Sequence, residues 1–405
     1  MKKILLITTK YGDTPNNKWL TNELCLEFKE RGYDVYALVL SWLPMDLETT
    51  YRLEEGIKVF RYKLPKIFYG NNKILKAIKM LLFPLIVKSK IKKQFKDIKF
   101  DMTISSTPCI TLNGLTKFFK KKDKAFNYLI LWDFFPYYLL DLNLISKGIK
   151  FKIFYEIERR MYNTYDRIGC MTKKNIDFLV ENYRLKKDNV NILPLWAEIK
   201  NIEKVDKNEI RRKYNVSEEK VVFVYGGAMS VVQKLENILN AALELKNEEN
   251  IEFLLIGKGT ESERIKKLLI SEKITNVKFL DYIPREDYEK LLGACDVGIV
   301  SLSEKLNVPS FPSKTIDYFK VGLPIIAAID NYTDYGIILQ DEIKGGEYSI
   351  ANDTKNLVNK IKKLYLNKEY REKLGENGNK YYIEQFNVKK AASIIERDFE
   401  KWERI

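Results

Sequence analysis

The sequence predicts an α/β protein of two doubly wound domains, each a mainly parallel sheet with helices on both faces. Three observations carry that prediction. The chain has 405 residues, too many for one ordinary core and comfortable for two of roughly 200 each. Apolar runs of strand length alternate with helical patterns, as they do in sheets covered on both sides. The alternation occurs in two series, separated by a polar, charged linker at 198–219.

The first series begins at Met1-Lys2-Lys3 and the strand 3–9. Its apolar run is too short for a secretory signal, and no small-residue cleavage site follows. Further strands fall at 34–40, 100–105, 126–132, 167–171 and 189–193, with helices near 17–31, 73–97, 108–121, 149–165 and 173–183. In the second series strands fall at 221–225, 251–256, 276–280, 297–301 and 324–328, with helices near 234–246, 260–269, 285–293, 313–321 and 354–366. The expected domains are 1–197 and 198–385, with a final helix over 386–405 packing back on the first.

Composition narrows the function classes. Hydrophobic residues at 45% and charged residues at 31% exclude a disordered chain. Cys25, Cys109, Cys170 and Cys295 are scattered and form no C-x-x-C pair, so they suggest buried thiols in a reducing compartment rather than a zinc or redox site. The longest apolar run, Met80 to Val87, is far short of the roughly 20 residues of a spanning helix. Residues 1–200 carry 37 Lys and Arg against 21 Asp and Glu, and the remainder 33 against 34. A basic first half points to a polyanionic partner, nucleic acid or an anionic membrane surface. The chain has no histidine, which removes the commonest general base and metal ligand.

In doubly wound sheets ligands sit beyond the carboxyl ends of the strands. After strand 221–225 comes Gly226-Gly227-Ala228-Met229-Ser230, then a helix from about Gln233; this either brings backbone close to an anion or is an ordinary tight turn. Strand 251–256 runs into Gly257-Lys258-Gly259. Neither loop completes a dinucleotide or P-loop motif. The most specific segment runs from Val308 through Pro309, Ser310, Phe311, Pro312, Ser313, Lys314 and Asp317 to Gly322 and Pro324. Ser313 as helix cap, Lys314 facing a diphosphate and Asp317 one turn on for a ribose diol form one reading. A plain cap, a solvated lysine and a dipole-favouring acid form the other.

These pieces together resemble the GT-B retaining glycosyltransferases called family 4, especially the bacterial branch that builds capsule and O-antigen polysaccharides. The resemblance covers essentially the whole chain: Gln233-Lys234-Leu235-Glu236 after the glycine loop, Leu255-Ile256-Gly257-x-Gly259, Asn276-Val277-x-Phe279 before Tyr282-Ile283-Pro284, Ala294-Cys295-Asp296-Val297, and Pro312-Ser313-Lys314 through Gly322-x-Pro324. It implies two Rossmann-like domains facing a cleft. The loops at Gly227, Gly257, Tyr282 and Ile283, with Gln233, would hold the nucleotide sugar; Ser313 and Lys314 would face its diphosphate, and Asp317 its ribose. Many members carry two glutamates eight positions apart, whereas here the positions hold Pro309 and Asp317, so sugar recognition shifts to backbone around Ser310, Phe311 and Pro312. A familiar Arg and Lys are replaced by Ala228 and Gln233.

In the first half, strand 126–132 ends in Trp132-Asp133-Phe134-Phe135-Pro136, which resembles the acceptor loop of capsule-type relatives. A carboxylate among aromatics has a raised pKa suited to a hydroxyl's proton, although Asp133 could equally cap a turn. Asn17 and Lys18 in the first loop are expected to touch acceptor or donor phosphate, or to be simply solvated. Eight lysines between Lys73 and Lys96, interleaved with Ile and Leu, read as a basic amphipathic helix interrupted at Pro84, lying on a membrane or packed as a surface helix.

The resulting expectation is a hexosyltransferase, cytoplasmic and peripheral on the inner face of the cell membrane. It moves a sugar from a nucleotide diphosphate sugar, UDP by default, to a lipid-linked saccharide. Asp133 and Lys314 would serve catalysis, with no cofactor, no metal and no nucleic acid. The competing readings are a catalytically silent nucleotide-sugar-binding subunit and a nucleotide-sugar epimerase.

Overall fold

The computed structural model describes residues 1–14, 18–70, 72–107, 112–199 and 206–404. The chain divides into two units: Met1–Leu140, Ile145–Glu198 and Asn387–Ile405 form the first, and Asp141–Leu144 with Ile199–Phe386 the second.

The first unit is built on β1 (Lys3–Thr8), β2 (Asp34–Leu40), β3 (Thr50–Glu54), β4 (Ile57–Tyr62), β5 (Met102–Ser106), β6 (Phe126–Leu131), β7 (Arg167–Cys170) and β8 (Val190–Ile192). They form one sheet in the order β3-β4-β2-β1-β5-β6-β7-β8, parallel except at its β3 edge. The central strands are buried along their length, as continuous apolar runs in a sheet covered on both faces should be. Strand order reverses between β1 and β5, which opens the loops after those strands to a ligand. The hairpin β3–β4 lies in a stretch where the sequence suggested nothing.

The C-terminal helix Val388–Glu403 belongs to this unit. Its Phe399 stacks on Phe126 of β6 with ring centroids 5.7 Å apart, and its Asp398 accepts from the Asn191 amide at 2.6 Å. The helix Lys73–Gln94 buries Phe83, Val87 and Ile91, three residues at a four-residue spacing, and leaves Leu82, Leu85 and Ile86 exposed. Pro84 lies inside it.

In the second unit β9 (Val221–Gly226), β10 (Ile251–Ile256), β11 (Val277–Leu280), β12 (Val297–Ser301), β13 (Ile325–Ile329) and β14 (Gly346–Ile350) form a parallel sheet ordered β11-β10-β9-β12-β13-β14. The reversal falls between β9 and β12. Part of the expected linker is the helix Lys207–Lys213, capped by Asp206, whose carboxylate accepts from the Asn208 and Glu209 N–H groups. Its Arg211 is buried, donating to the Ala294 carbonyl at 2.8 Å and to Asp296 at 2.7 Å. Strand β14 and the helix Lys368–Gln385 also go beyond the sequence reading. Among the described residues no helix is long and apolar enough to cross a membrane. Cys25, Cys170 and Cys295 are free and buried, while Cys109 lies outside the described residues.

Candidate functional site

Beyond the carboxyl ends of β9 and β10 the second unit opens a cavity of about 470 Å³. Its floor is two glycine loops laced together. Gly227 N–H donates to the Ile256 carbonyl at 3.0 Å, and Met229 N–H to that of Lys258 at 3.1 Å. Gly257 takes φ of 140°, and a β-carbon there would come within 2.0 Å of the Gly227 carbonyl oxygen. Only glycine permits this approach, so the backbone itself forms the ligand-facing surface. Gly227, Gln233, Gly257, Tyr282, Ile283, Ser313, Lys314 and Asp317 all line the cavity. The structure therefore brings together eight of the residues proposed from the sequence.

Lys314 is the most enclosed of the three cations that line this site, the others being Lys258 and Arg285. Its Nζ lies 3.7 Å from the centre of the Tyr225 ring and donates to Gln233 Oε1 at 3.2 Å. Enclosure of the ammonium, partly offset by the nearby Asp317 carboxylate, lowers its pKa from 10.5 to about 7. Asp317 is ion-paired with Arg285, which also bonds Glu289 at 3.0 Å. Glu289 in turn holds Lys320 at 2.9 Å. At the rim Tyr282 is 66% exposed, with the Lys258 ammonium 5.0 Å from its ring.

Other residues proposed from the sequence are placed differently. Ser313 does not cap its helix through its side chain: its φ and ψ are already helical at −60° and −26°, and the turn is closed instead by Thr315 N–H donating to the Pro312 carbonyl at 3.1 Å. Ser310, Phe311 and Pro312 are not part of the cavity lining. Phe311 is buried edge-on between Tyr335 and Phe386, and the Ser310 carbonyl accepts from the Thr333 hydroxyl at 2.7 Å. The sequence reading missed Arg285 and Tyr288. Their signal was the helix start at Pro284, which puts residues 285 and 288 on one face a turn apart.

In the first unit, the Trp132 and Asp133 N–H groups both donate to the buried Thr107 hydroxyl, at 2.8 and 2.9 Å, which fixes the loop after β6. Trp132 packs against the core, its ring 5.9 Å from that of Trp196, and stays half-buried. Protein atoms crowd the Asp133 carboxylate and push its pKa upward, with Lys10 opposing; its open outer face keeps water at the carboxylate and holds that rise in check. Beneath it Glu158 is buried and bonded to the Tyr183 hydroxyl, and burial holds its carboxyl well above the usual range. Lys18 pairs with Glu55 at 2.9 Å. Asn17 lies outside the described residues.

Comparison with known proteins follows the same division. Residues 206–381 match the family described as glycosyl transferases group 1. Over 260 residues the chain is 24% identical to WcaI of Escherichia coli, whose own assignment as a colanic acid biosynthesis glycosyl transferase is provisional. That alignment covers 63% of this chain and 62% of the relative, so the chain spans less than two thirds of its length. The structure of sucrose-phosphate synthase from Thermosynechococcus elongatus matches with a TM-score of 0.77 at 15% identity, covering 100% of both chains. HepE of Anabaena, solved with UDP and glucose, matches with a TM-score of 0.69 at 16% identity over 99% of this chain and 100% of that one. The chain thus has the two-domain α/β GT-B fold.

Proposed function

With residues 206–381 matching the glycosyl transferases group 1 family as its premise, we propose that this protein is a glycosyltransferase of cell-surface polysaccharide synthesis. It takes a sugar from a nucleotide diphosphate sugar, by default a UDP-sugar, and passes it with retention of configuration to a lipid-linked saccharide. The observation that carries this reading is the cavity that unites two glycine loops, an enclosed lysine and a carboxylate one turn along the same helix.

The division of labour follows from the chemistry of each group. The exposed Tyr282 ring offers a face to the nucleobase, beside Ile283. Asp317, oriented by Arg285, accepts from the ribose hydroxyls, because a carboxylate can take both bonds of a vicinal diol. Gly227 and Gly257 let the chain approach the diphosphate, and Lys314 stabilises the charge that builds on it as the glycosyl bond breaks. A neutral or partly protonated lysine becomes fully charged only when an anion arrives, which ties its charge to the bound state. In the first unit, Asp133 takes the proton of the attacking hydroxyl, a role that its raised pKa favours.

The helix Lys73–Gln94 supplies the membrane contact. Leu82, Leu85 and Ile86 project outward among exposed lysines at 90, 92 and 93, so apolar insertion and attraction to anionic headgroups act together. In this reading the enzyme works on the cytoplasmic face, beside its lipid-linked acceptor.

Thermal-shift titration with a panel of nucleotide sugars tests the reading. A donor at 100 times its dissociation constant adds about 2.7 kcal/mol of stability. The shift is expected with a UDP-sugar and is lost in Lys314→Ala. A protein that no activated sugar stabilises refutes the proposal; stabilisation without turnover on any lipid-linked acceptor favours a silent binding subunit instead.

A further inference from the structure

A larger cavity, about 620 Å³, lies within the first unit and is lined by none of the residues assigned above to acceptor or donor. Its walls are mainly aromatic and aliphatic, among them Trp19, Trp42, Leu43, Met45 and Tyr138. Met45 is 78% exposed and Leu43 49%, so the mouth holds large apolar groups in water that a ligand would cover.

The polar groups on the wall are largely committed to the protein. The Ser41 hydroxyl donates to the Leu47 carbonyl at 3.3 Å, Asp46 accepts from the Leu43 N–H at 2.6 Å, and Arg61 is bonded to Glu54 and to the Gly12 carbonyl. A saccharide enclosed here would bring hydroxyls in need of partners, and burying them unpaired is costly. A hydrocarbon chain has no such need. Lys10 stands apart from these pairs: its ammonium lies 5.0 Å over the Trp19 ring, and among the described residues no carboxylate lies within ion-pair distance of it, the Asp133 carboxylate acting on it only through the longer-range field. An apolar chain ending in an anion therefore matches both the wall and its cation.

The cavity is also joined to the basic helix. Lys79 of that helix donates to the Trp42 carbonyl at 2.9 Å and lies 4.6 Å over the Trp42 ring, and Leu82 follows one turn further along. The exposed apolar face of the helix and the wall of the cavity are thus mechanically one piece.

From this juxtaposition we propose that the first-unit cavity binds the hydrocarbon chain of an anionic amphiphile, with Lys10 receiving its phosphate. The inference rests on the lipid-linked acceptor proposed above and specifies how the lipid part is held. Quenching of tryptophan fluorescence, titrated with farnesyl phosphate, dodecyl phosphate, farnesol and inorganic phosphate, tests it. Both phosphorylated chains are expected to bind and inorganic phosphate is not; a preference for farnesyl over dodecyl phosphate identifies an isoprenyl source, and the reverse an acyl one. Leu43→Glu and Met45→Glu, both at exposed positions that folding tolerates, are expected to weaken chain binding about tenfold. Lys10→Met is expected to weaken the phosphates about fivefold and leave farnesol unchanged. Binding that these variants do not alter, or quenching by soluble saccharides in place of the chains, overturns the inference. UDP-glucose stabilisation of the same preparations reads the donor site separately: its persistence without chain binding defeats this inference alone, and its loss with chain binding intact defeats the donor reading alone.

Discussion

If Lys314 is the diphosphate's counter-charge, donor binding must take up a proton. In the empty cavity burial lowers this lysine to about pH 7. Between that value and the ordinary 10.5, the unfolded chain holds a proton that the folded chain has released, so the empty protein gains stability as pH rises through that window. Donor affinity runs the opposite way, because a bound diphosphate restores the charged form. With the bound pKa back near its ordinary range, uptake is ~0.1 proton at pH 6 and ~0.9 at pH 8, and affinity falls about tenfold over that interval, or ~1.4 kcal/mol. UDP-glucose is the ligand of choice, since both of its phosphates are esterified and lack the ionisation near pH 6 of a terminal phosphate. Calorimetry in buffers of differing ionisation enthalpy measures the uptake directly. In Lys314→Met the pH dependence should flatten and affinity at pH 6 should drop to the level seen at high pH or below. Zero uptake at pH 8 in the native protein, or an unchanged slope in the methionine variant, refutes the reasoning.

Three further outcomes are expected. Gly257→Ala forces a β-carbon against the Gly227 carbonyl at a positive φ, so it should cost about 1–3 kcal/mol in a denaturant melt and abolish the UDP-glucose thermal shift. Asp133→Asn should lower transfer about 10²–10⁴-fold in a radiolabelled-sugar assay while leaving the thermal shift intact. Phe399→Ala removes a fully buried ring from the interface of the last helix with β6, and chemical denaturation should show a loss of ~3–5 kcal/mol.

The sequence carried the buried elements well because burial on both faces leaves a strong local mark. Runs such as Val221–Gly226 and Ile251–Ile256 are apolar but for Glu252 and end in glycine loops, so strand and ligand loop were legible together. Strand β3 left no such mark: it is an edge strand whose Tyr51 and Leu53 are 56% and 67% exposed. Its one available signal was Glu55-Gly56, both at positive φ, the geometry of a two-residue hairpin turn. The helix Lys207–Lys213 was hidden in a charged stretch because its contribution to the core is an arginine, Arg211, whose partners lie at residues 294 and 296. Distance in sequence also hid the Arg285–Asp317 pair. The helical spacing of Lys314 and Asp317 is a local property, whereas a partner 32 positions earlier is decided only by the meeting of two helices packed on the sheet. The role of the Phe311 ring was equally hidden, since its partners Tyr335 and Phe386 lie 24 and 75 positions further along the chain.

The helix at residues 388–403 gives the chain an unusual order of completion. On a ribosome the half that emerges first has to wait, with Phe126 and Asn191 lacking their partners Phe399 and Asp398, until the whole of the other half has been made. A chain cut short before Asp398 would therefore injure the part encoded at the beginning.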